Sequence, residues 1–205
     1  MKPTSSCDTE PVASVAKAGS SSQISSHIPS LADVSLKASR EPLFYYFAYG
    51  SCMCPVDLKR SLGENTHDYV IGPATLRDYR LGFFRRSQRR DCGVLDVVRD
   101  RAAMVEGVLY QLPWRLSDRL DEREEGYSHE MIEVDVQGQR YTNVRTYTVI
   151  EKLAEEHAPN DWYFNVVLRG AVTCGLPEQY CWNLFHHMHQ LQQRDFGQAP
   201  LLQIA

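Results

Sequence analysis

The sequence predicts an α+β fold: a small mixed, partly closed β-barrel flanked by helices. Three observations carry this. Runs of short strand-like segments fill most of the chain from residue 43 to 150, helix-forming stretches interrupt them only around 54–62 and 113–124, and two amphipathic helical segments follow. Strands in runs, with helices inserted and then appended, favour a mixed sheet that curls toward a barrel. A 43% hydrophobic and 10% aromatic content suits one domain with a single core, placed at 42–195.

Residues 1–41 are serine-rich ("GSSSQISS", Gly19 to Ser26), broken by Pro3, Pro11 and Pro29, and without sustained periodicity, so a disordered tail is expected there. It holds no continuous apolar stretch of secretory type, and Asp8, Glu10 and Asp33 argue against an organelle transit peptide, which favours the cytoplasm. Order begins with "LFYYFAY" (Leu43 to Tyr49), an aromatic strand apolar on both faces. "CPVDLKRSL" (Cys54 to Leu62) reads as a short helix, with Pro55 in its first turn and Gly63 past its end. Strands are expected at 69–72, 79–84, 93–98 and 103–112, separated by polar or glycine-containing turns. A helix over Pro113 to Glu124 places Leu116 and Leu120 on one face and stops before Gly126. Strands at 130–136 and 140–150 precede the two closing helices, which part at Gly175 to Pro177; residues 196–205 read as a C-terminal tail.

Composition narrows the functional classes. A formal charge of −4 and a pI near 6.0 lack the basic footprint of a nucleic-acid binder. No apolar run approaches the roughly 18 residues that span a bilayer, so no membrane partner is expected. The cysteines at 7, 52, 54, 92, 174 and 181 form no CxxC pair and no zinc-type grouping with histidine. They read as reduced thiols, mostly buried, with no metal and no cofactor implied.

The first strand ends in "YFAYGSCM" (Tyr46 to Met53) and runs straight into a helix start. Such a turn presents several backbone N–H groups to one small space, where anions and polarised carbonyl oxygens fit. Glycine allows close approach of the backbone, and serine supplies a cap or a hydroxyl donor. The same turn also serves merely to end a strand, so the surrounding order of features has to decide.

That order resembles the γ-glutamylcyclotransferase family. "FAYGSCM" is similar to its aromatic strand and Tyr-Gly-Ser-Asn turn, with Tyr49, Gly50 and Ser51 retained and Cys52 in the asparagine position. "GPATLRDYRLGF", "VEGVLYQL", "LDEREEGY" and "PNDWYFNVVLRGAVTCGLPEQY" resemble, in the family's order, a strand pair, the central strand, the Leu-Asp-x-x-Glu-Gly segment and the closing Pro-Ser-x-x-Tyr to Gly-Leu-Pro-x-x-Tyr signature. The resemblance implies a γ-glutamylcyclotransferase-like fold and an enzyme without cofactor. In the implied reaction a small γ-glutamyl substrate attacks its own γ-carbonyl with its α-amine, closing 5-oxoproline and releasing the amine. Glutathione, γ-glutamyl amino acids, γ-glutamyl-ε-lysine and other γ-glutamylated metabolites all carry that half.

The chemistry requires a folded glutamyl chain, a base for the α-ammonium and an acid for the leaving nitrogen, and one carboxylate can serve as both. By resemblance the Leu-Asp anchor selects Glu124, three residues after Asp121, whereas anchoring on Glu-Gly selects Glu125. The helix turn preceding Glu124 sets its direction, which favours Glu124. The resemblance further implies that Tyr49, Gly50, Ser51, Cys52, Met53 and Cys54 hold the glutamyl head, with Tyr163 touching the substrate and Asn160 in place of the family's serine. Two rivals stand beside this reading: a non-catalytic protein that binds a small metabolite or a partner, and a thiol hydrolase using Cys52, which requires a histidine base that the sequence does not pair with it. "FRRSQRRD", with Arg85, Arg86, Arg89 and Arg90, reads as a solvated hairpin, or alternatively as a receiver for the carboxylate of a peptide substrate or for an acidic partner. "HHMH" (His186 to His189) reads as a polar helix face.

Overall fold

The computed structural model describes residues 41–197. The expected N-terminal tail, apart from Glu41, lies outside the described residues, as does the chain after Gly197. Five strands and four helices follow one another as β1 (Leu43–Ala48), α1 (Pro55–Leu62), β2 (Val70–Ser87), β3 (Cys92–Pro113), α2 (Ser117–Arg123), β4 (Tyr127–Val136), β5 (Gln139–Val149), α3 (Asp161–Thr173) and α4 (Glu178–Gly197). The strands close into a barrel in the order β1-β3-β2-β4-β5, in agreement with the expected α+β class.

The barrel is mixed because β1 runs parallel to β5 while its other partners are antiparallel. Its closure is thin at two seams: β1 meets β5 through two residue pairs, and β2 meets β4 through Thr75 and Asp135 alone. The strands 69–72 and 79–84 are one strand here, and so are 93–98 and 103–112. The polar stretches between them stay within the strands: Arg99 pairs with Tyr79, residues 100–103 have no ladder partner in the irregularity between Arg77/Met104 and Tyr79/Arg99, and further bulges lie at Val70/Gly72 and Gly82/Arg85. Read as punctuation, such exposed strand residues mimic turns.

The aromatic character of β1 follows from its burial: Tyr46, Phe47 and Ala48 are enclosed between β3, β5 and the helices. Phe83, Leu95, Leu109 and Tyr110 from β2 and β3 complete the interior, and Met53, Leu58 and Leu62 seal the end where β1 passes into α1. Gly63 ends α1 in the left-handed conformation (φ 78°), its N–H donating to Lys59 O at 2.8 Å. Helix α3 opens on Asn160, whose side chain accepts from Tyr163 N at 2.9 Å, so asparagine supplies the N-cap function of a serine. In the "HHMH" stretch Met188 is buried, and His187 is only half-exposed, pairing with Glu156 at 3.0 Å, so that stretch is more than a polar face.

Candidate active site

Residues 49–54 connect β1 to α1, and 51–53 form a single 3-10 turn in which Met53 N donates to Gly50 O at 3.0 Å. The back of the turn is clamped. Met53 O accepts from the Tyr110 hydroxyl at 2.9 Å and the Cys174 thiol at 3.2 Å, and α3 comes so close that a Cβ on Gly170 would stand 2.9 Å from Cys54 N. The N–H groups of Gly50, Ser51 and Cys52 have no main-chain acceptor among the described turn and loop bonds, and these three residues line a cavity of about 360 Å³. The arrangement is a small donor nest held rigid from behind.

The carboxylate arrives from α2. Leu120 buries one face of this helix, with buried Leu116 immediately before it, while Asp121 accepts from the Tyr147 hydroxyl and from Arg145 Nη1 at 3.4 Å, which fixes the helix against β5. Glu124 caps the C-terminus, its N–H bonded to Asp121 O at 3.1 Å and its carbonyl accepting from Tyr127 N at 2.9 Å. The chain then reverses at Gly126, whose φ of 80° suits glycine. With its side chain only 15% exposed, Glu124 turns Oε1 to within 3.2 Å of Cys52 Sγ. Glu125 stands at the rim and is exposed.

Arg123 knots helix and turn together. It donates to Ser51 Oγ at 3.0 Å, to Cys52 Sγ at 3.0 Å and to Ser61 Oγ, and lies 3.4 Å from Glu124 Oε1. Although burial opposes its charge, the neighbouring Cys52 and Glu124 hold Arg123 above the ordinary guanidinium range. Burial pushes the Cys52 thiol up to about 11; Arg123 pulls it the other way and Glu124 adds to the rise. Among the described residues no histidine lines the cavity, and no group of three potential metal ligands occurs.

Aromatic hydroxyls and a basic hairpin complete the walls. Tyr49 donates to Tyr147 O at 2.5 Å, Tyr127 donates to Leu95 O at 2.8 Å, and the Tyr163 hydroxyl accepts from Leu95 N at 3.1 Å. The Tyr163 hydroxyl lies beside Gly50, 3.2 Å from where a Cβ would be. From the β2–β3 hairpin, Arg85 and Arg90 are half-buried against the cavity, and only Arg86 and Arg89 are exposed. The hairpin is therefore not purely solvated, since two of its four arginines are half-buried in the cavity wall.

Of the residues singled out from the sequence, Tyr49, Gly50, Ser51, Cys52, Glu124 and Tyr163 meet at this cavity. Met53 and Cys54 do not line it: the 3-10 turn points them backward, Met53 into the core and Cys54 onto α3 as the residue before α1. Sequence reasoning passed over Arg123 and Tyr127. Both flank Glu124 in "LDEREEGY", and their only signal was that the segment carries a buried carboxylate needing partners.

A closed mixed barrel with a donor turn after its first strand and a glutamate delivered by a short inserted helix defines a γ-glutamylcyclotransferase-like protein. Comparison with known proteins agrees. A family profile described as "AIG2-like family" matches residues 104–184. The Bacillus subtilis protein "Putative gamma-glutamylcyclotransferase YkqA" is 31% identical over 160 residues, which are 76% of this chain and 56% of YkqA. The crystal structure of YkqA superposes with a TM-score of 0.67 at 29% identity, covering 76% of this chain and 58% of that one. A structure titled gamma-glutamyl cyclotransferase gives 0.64 at 25% identity, covering 70% and 86%, and an uncharacterized Homo sapiens protein gives 0.62 at 26%, covering 70% and 87%. The chain shares the γ-glutamylcyclotransferase-like fold of these proteins, and it spans a little over half the length of YkqA.

Proposed function

We propose that this protein cyclises a γ-glutamyl amide to 5-oxoproline and releases the free amine, with Glu124 as general base and then general acid. The observation that carries the reading is the convergence of Glu124 with the turn: its carboxylate, largely buried, stands 3.2 Å from Cys52, beside N–H groups that lack main-chain partners. In this reading the turn binds the glutamyl head and stabilises the oxygen that becomes negative as the γ-carbonyl is attacked. Glu124 removes a proton from the α-ammonium, the freed amine forms the new C–N bond, and Glu124 returns that proton to the leaving nitrogen as the old amide bond breaks; the second proton shed by the new ring nitrogen passes by the same carboxylate to the released amine, which departs as an ammonium and leaves Glu124 ionised. Tyr163 bounds the space beside Gly50 and keeps the chain of the substrate folded. The nucleophile belongs to the substrate, so no activated side chain is required. A Cys52 nucleophile is disfavoured because burial keeps the thiol protonated at neutral pH and no histidine lines the cavity among the described residues.

The test is release of 5-oxoproline from a panel of γ-glutamyl amides by the parent, Glu124→Gln and Glu125→Gln, with unfolding midpoints measured alongside. Glu124→Gln is expected to lose roughly 10²–10⁴-fold in turnover, and Glu125→Gln to stay within a few-fold of the parent. Substantial turnover by Glu124→Gln removes Glu124 from the role. Tight binding of a γ-glutamyl compound with no lactam released by the parent would make this a binding protein on the same fold.

A further inference from the structure

The hairpin wall carries more cation than the protein neutralises. Arg86 pairs with Asp91 at 2.6 Å and Arg123 with Glu124 at 3.4 Å, but Arg85, Arg89 and Arg90 have no carboxylate partner among the described residues. Two of them are half-buried and held in place. Arg85 donates to Gly126 O at 3.2 Å and lies over Tyr127, 5.3 Å from the ring centre; Arg90 lies over both Trp162 and Tyr163, each at 5.7 Å. The tip is itself fastened: Arg90 N donates to Ser87 Oγ at 3.3 Å, and Arg90 O accepts from Asn160 Nδ2 at 2.8 Å. The acids that also reach the cavity, Glu122 and Glu125, are exposed and belong to the helix end, so the two signs are segregated on different elements.

A partly buried guanidinium without a counter-charge is costly unless a ligand supplies one, and its planar fork matches a carboxylate. The N–H groups of the turn are already assigned to the glutamyl half. We propose that Arg90, with Arg85 and Arg89 beside it, receives a carboxylate on the amine half of the substrate. The site would thus select γ-glutamyl amino acids or peptides that keep an acid group near the scissile nitrogen over γ-glutamyl amines. This subsite rests on the γ-glutamyl reading above.

The experiment compares γ-glutamyl-alanine with γ-glutamyl-alaninamide, which differ in that one charge, as substrates of the parent, Arg90→Gln and Arg90→Lys. The parent should prefer the acid by roughly tenfold or more in kcat/KM, as expected for a charge-assisted hydrogen bond. Arg90→Gln should bring the pair within about threefold, the loss falling mainly on the acid, and Arg90→Lys should restore part of the preference. Equal use of both compounds by the parent overturns the subsite. So does an equal loss on both in Arg90→Gln, which would mean contact with the glutamyl half or a structural role. If the parent releases no lactam from either compound, the γ-glutamyl transfer reading fails separately, and calorimetric binding then decides the subsite. An acid-over-amide preference lost in Arg90→Gln sustains it; equal binding, or none, overturns it.

Discussion

Cys52 Sγ lies 3.2 Å from Glu124 Oε1 across 72 residues of chain, and Arg123 Nε closes the triangle at 3.0 Å from the same sulfur. The thiol gives the carboxylate a weak donor, while the turn's N–H groups are indifferent to the side chain at this position. Cys52→Ala is therefore expected to retain turnover within roughly tenfold of the parent, the scale of one modest hydrogen bond, with 5-oxoproline still the product. Chromatographic detection of free glutamate as the main product, or complete loss of turnover, would reassign the sulfur as nucleophile.

The same thiol links stability to pH. Burial raises it from an ordinary value of 9.0 to about 11, so the folded state binds the proton more tightly than the unfolded chain. The stabilisation is fully present below pH 9 and is lost as pH rises through 11, amounting to roughly 2–3 kcal/mol for a shift of this size. Urea midpoints at pH 8 and 10.5 for the parent and Cys52→Ala separate this group from every other one that titrates. The parent should lose more stability than the variant over that interval; parallel responses would show that Cys52 does not carry the linkage.

Arg123 fixes the geometry that the other groups use. Replacing it with methionine keeps much of the apolar stem but leaves Glu124, Ser51 and Cys52 without their shared donor. Breaking a largely buried pair at one partner costs about 3 kcal/mol, so Arg123→Met should show a clear fall in urea midpoint together with reduced lactam release. Arg123→Lys keeps the charge without the three-way fork and should recover stability only in part. A variant as stable as the parent would mean that α2 is held by Asp121, Arg145 and Tyr147 alone.

How far the sequence revealed this site depended on the kind of signal. The turn at Tyr49 to Cys52 was a weak signal by itself and became legible, with Glu124 after its Leu120-Asp121 anchor, only through the order of segments that resembles the γ-glutamylcyclotransferase family. Arg123 was hidden: a basic residue inside "DEREE" normally reads as part of a solvated helix face, and only the approach of Ser51, Ser61 and Cys52 gives it a buried role. The length of β2 and β3 was hidden for a related reason, since exposed charges at Arg99 to Arg101 fall in an irregularity that breaks the apolar pattern and the register while the two strands resume pairing on either side of it. Met53 and Cys54 were misplaced because counting along a motif does not say which way a 3-10 turn points each side chain.

Gly126 offers the last test, because two effects of a side chain there can be separated. Its φ of 80° is unfavourable for alanine by about 1 kcal/mol, and the new Cβ would fall 1.7 Å from Arg85 Nη1. The guanidinium ends a flexible side chain, so it swings away, giving up Gly126 O and the face of Tyr127. In an Arg85→Ala background those contacts are already absent, and Gly126→Ala should cost only the backbone term. A double-mutant cycle in urea is thus expected to show a coupling of roughly 0.5–1 kcal/mol. Lactam release should fall in Gly126→Ala, since Glu124 sits at the start of the same reversal, through the Tyr127 N to Glu124 O bond of 2.9 Å. A strictly additive cycle would show that Arg85 is not tied to this loop, and unchanged turnover would show that the reversal does not orient Glu124.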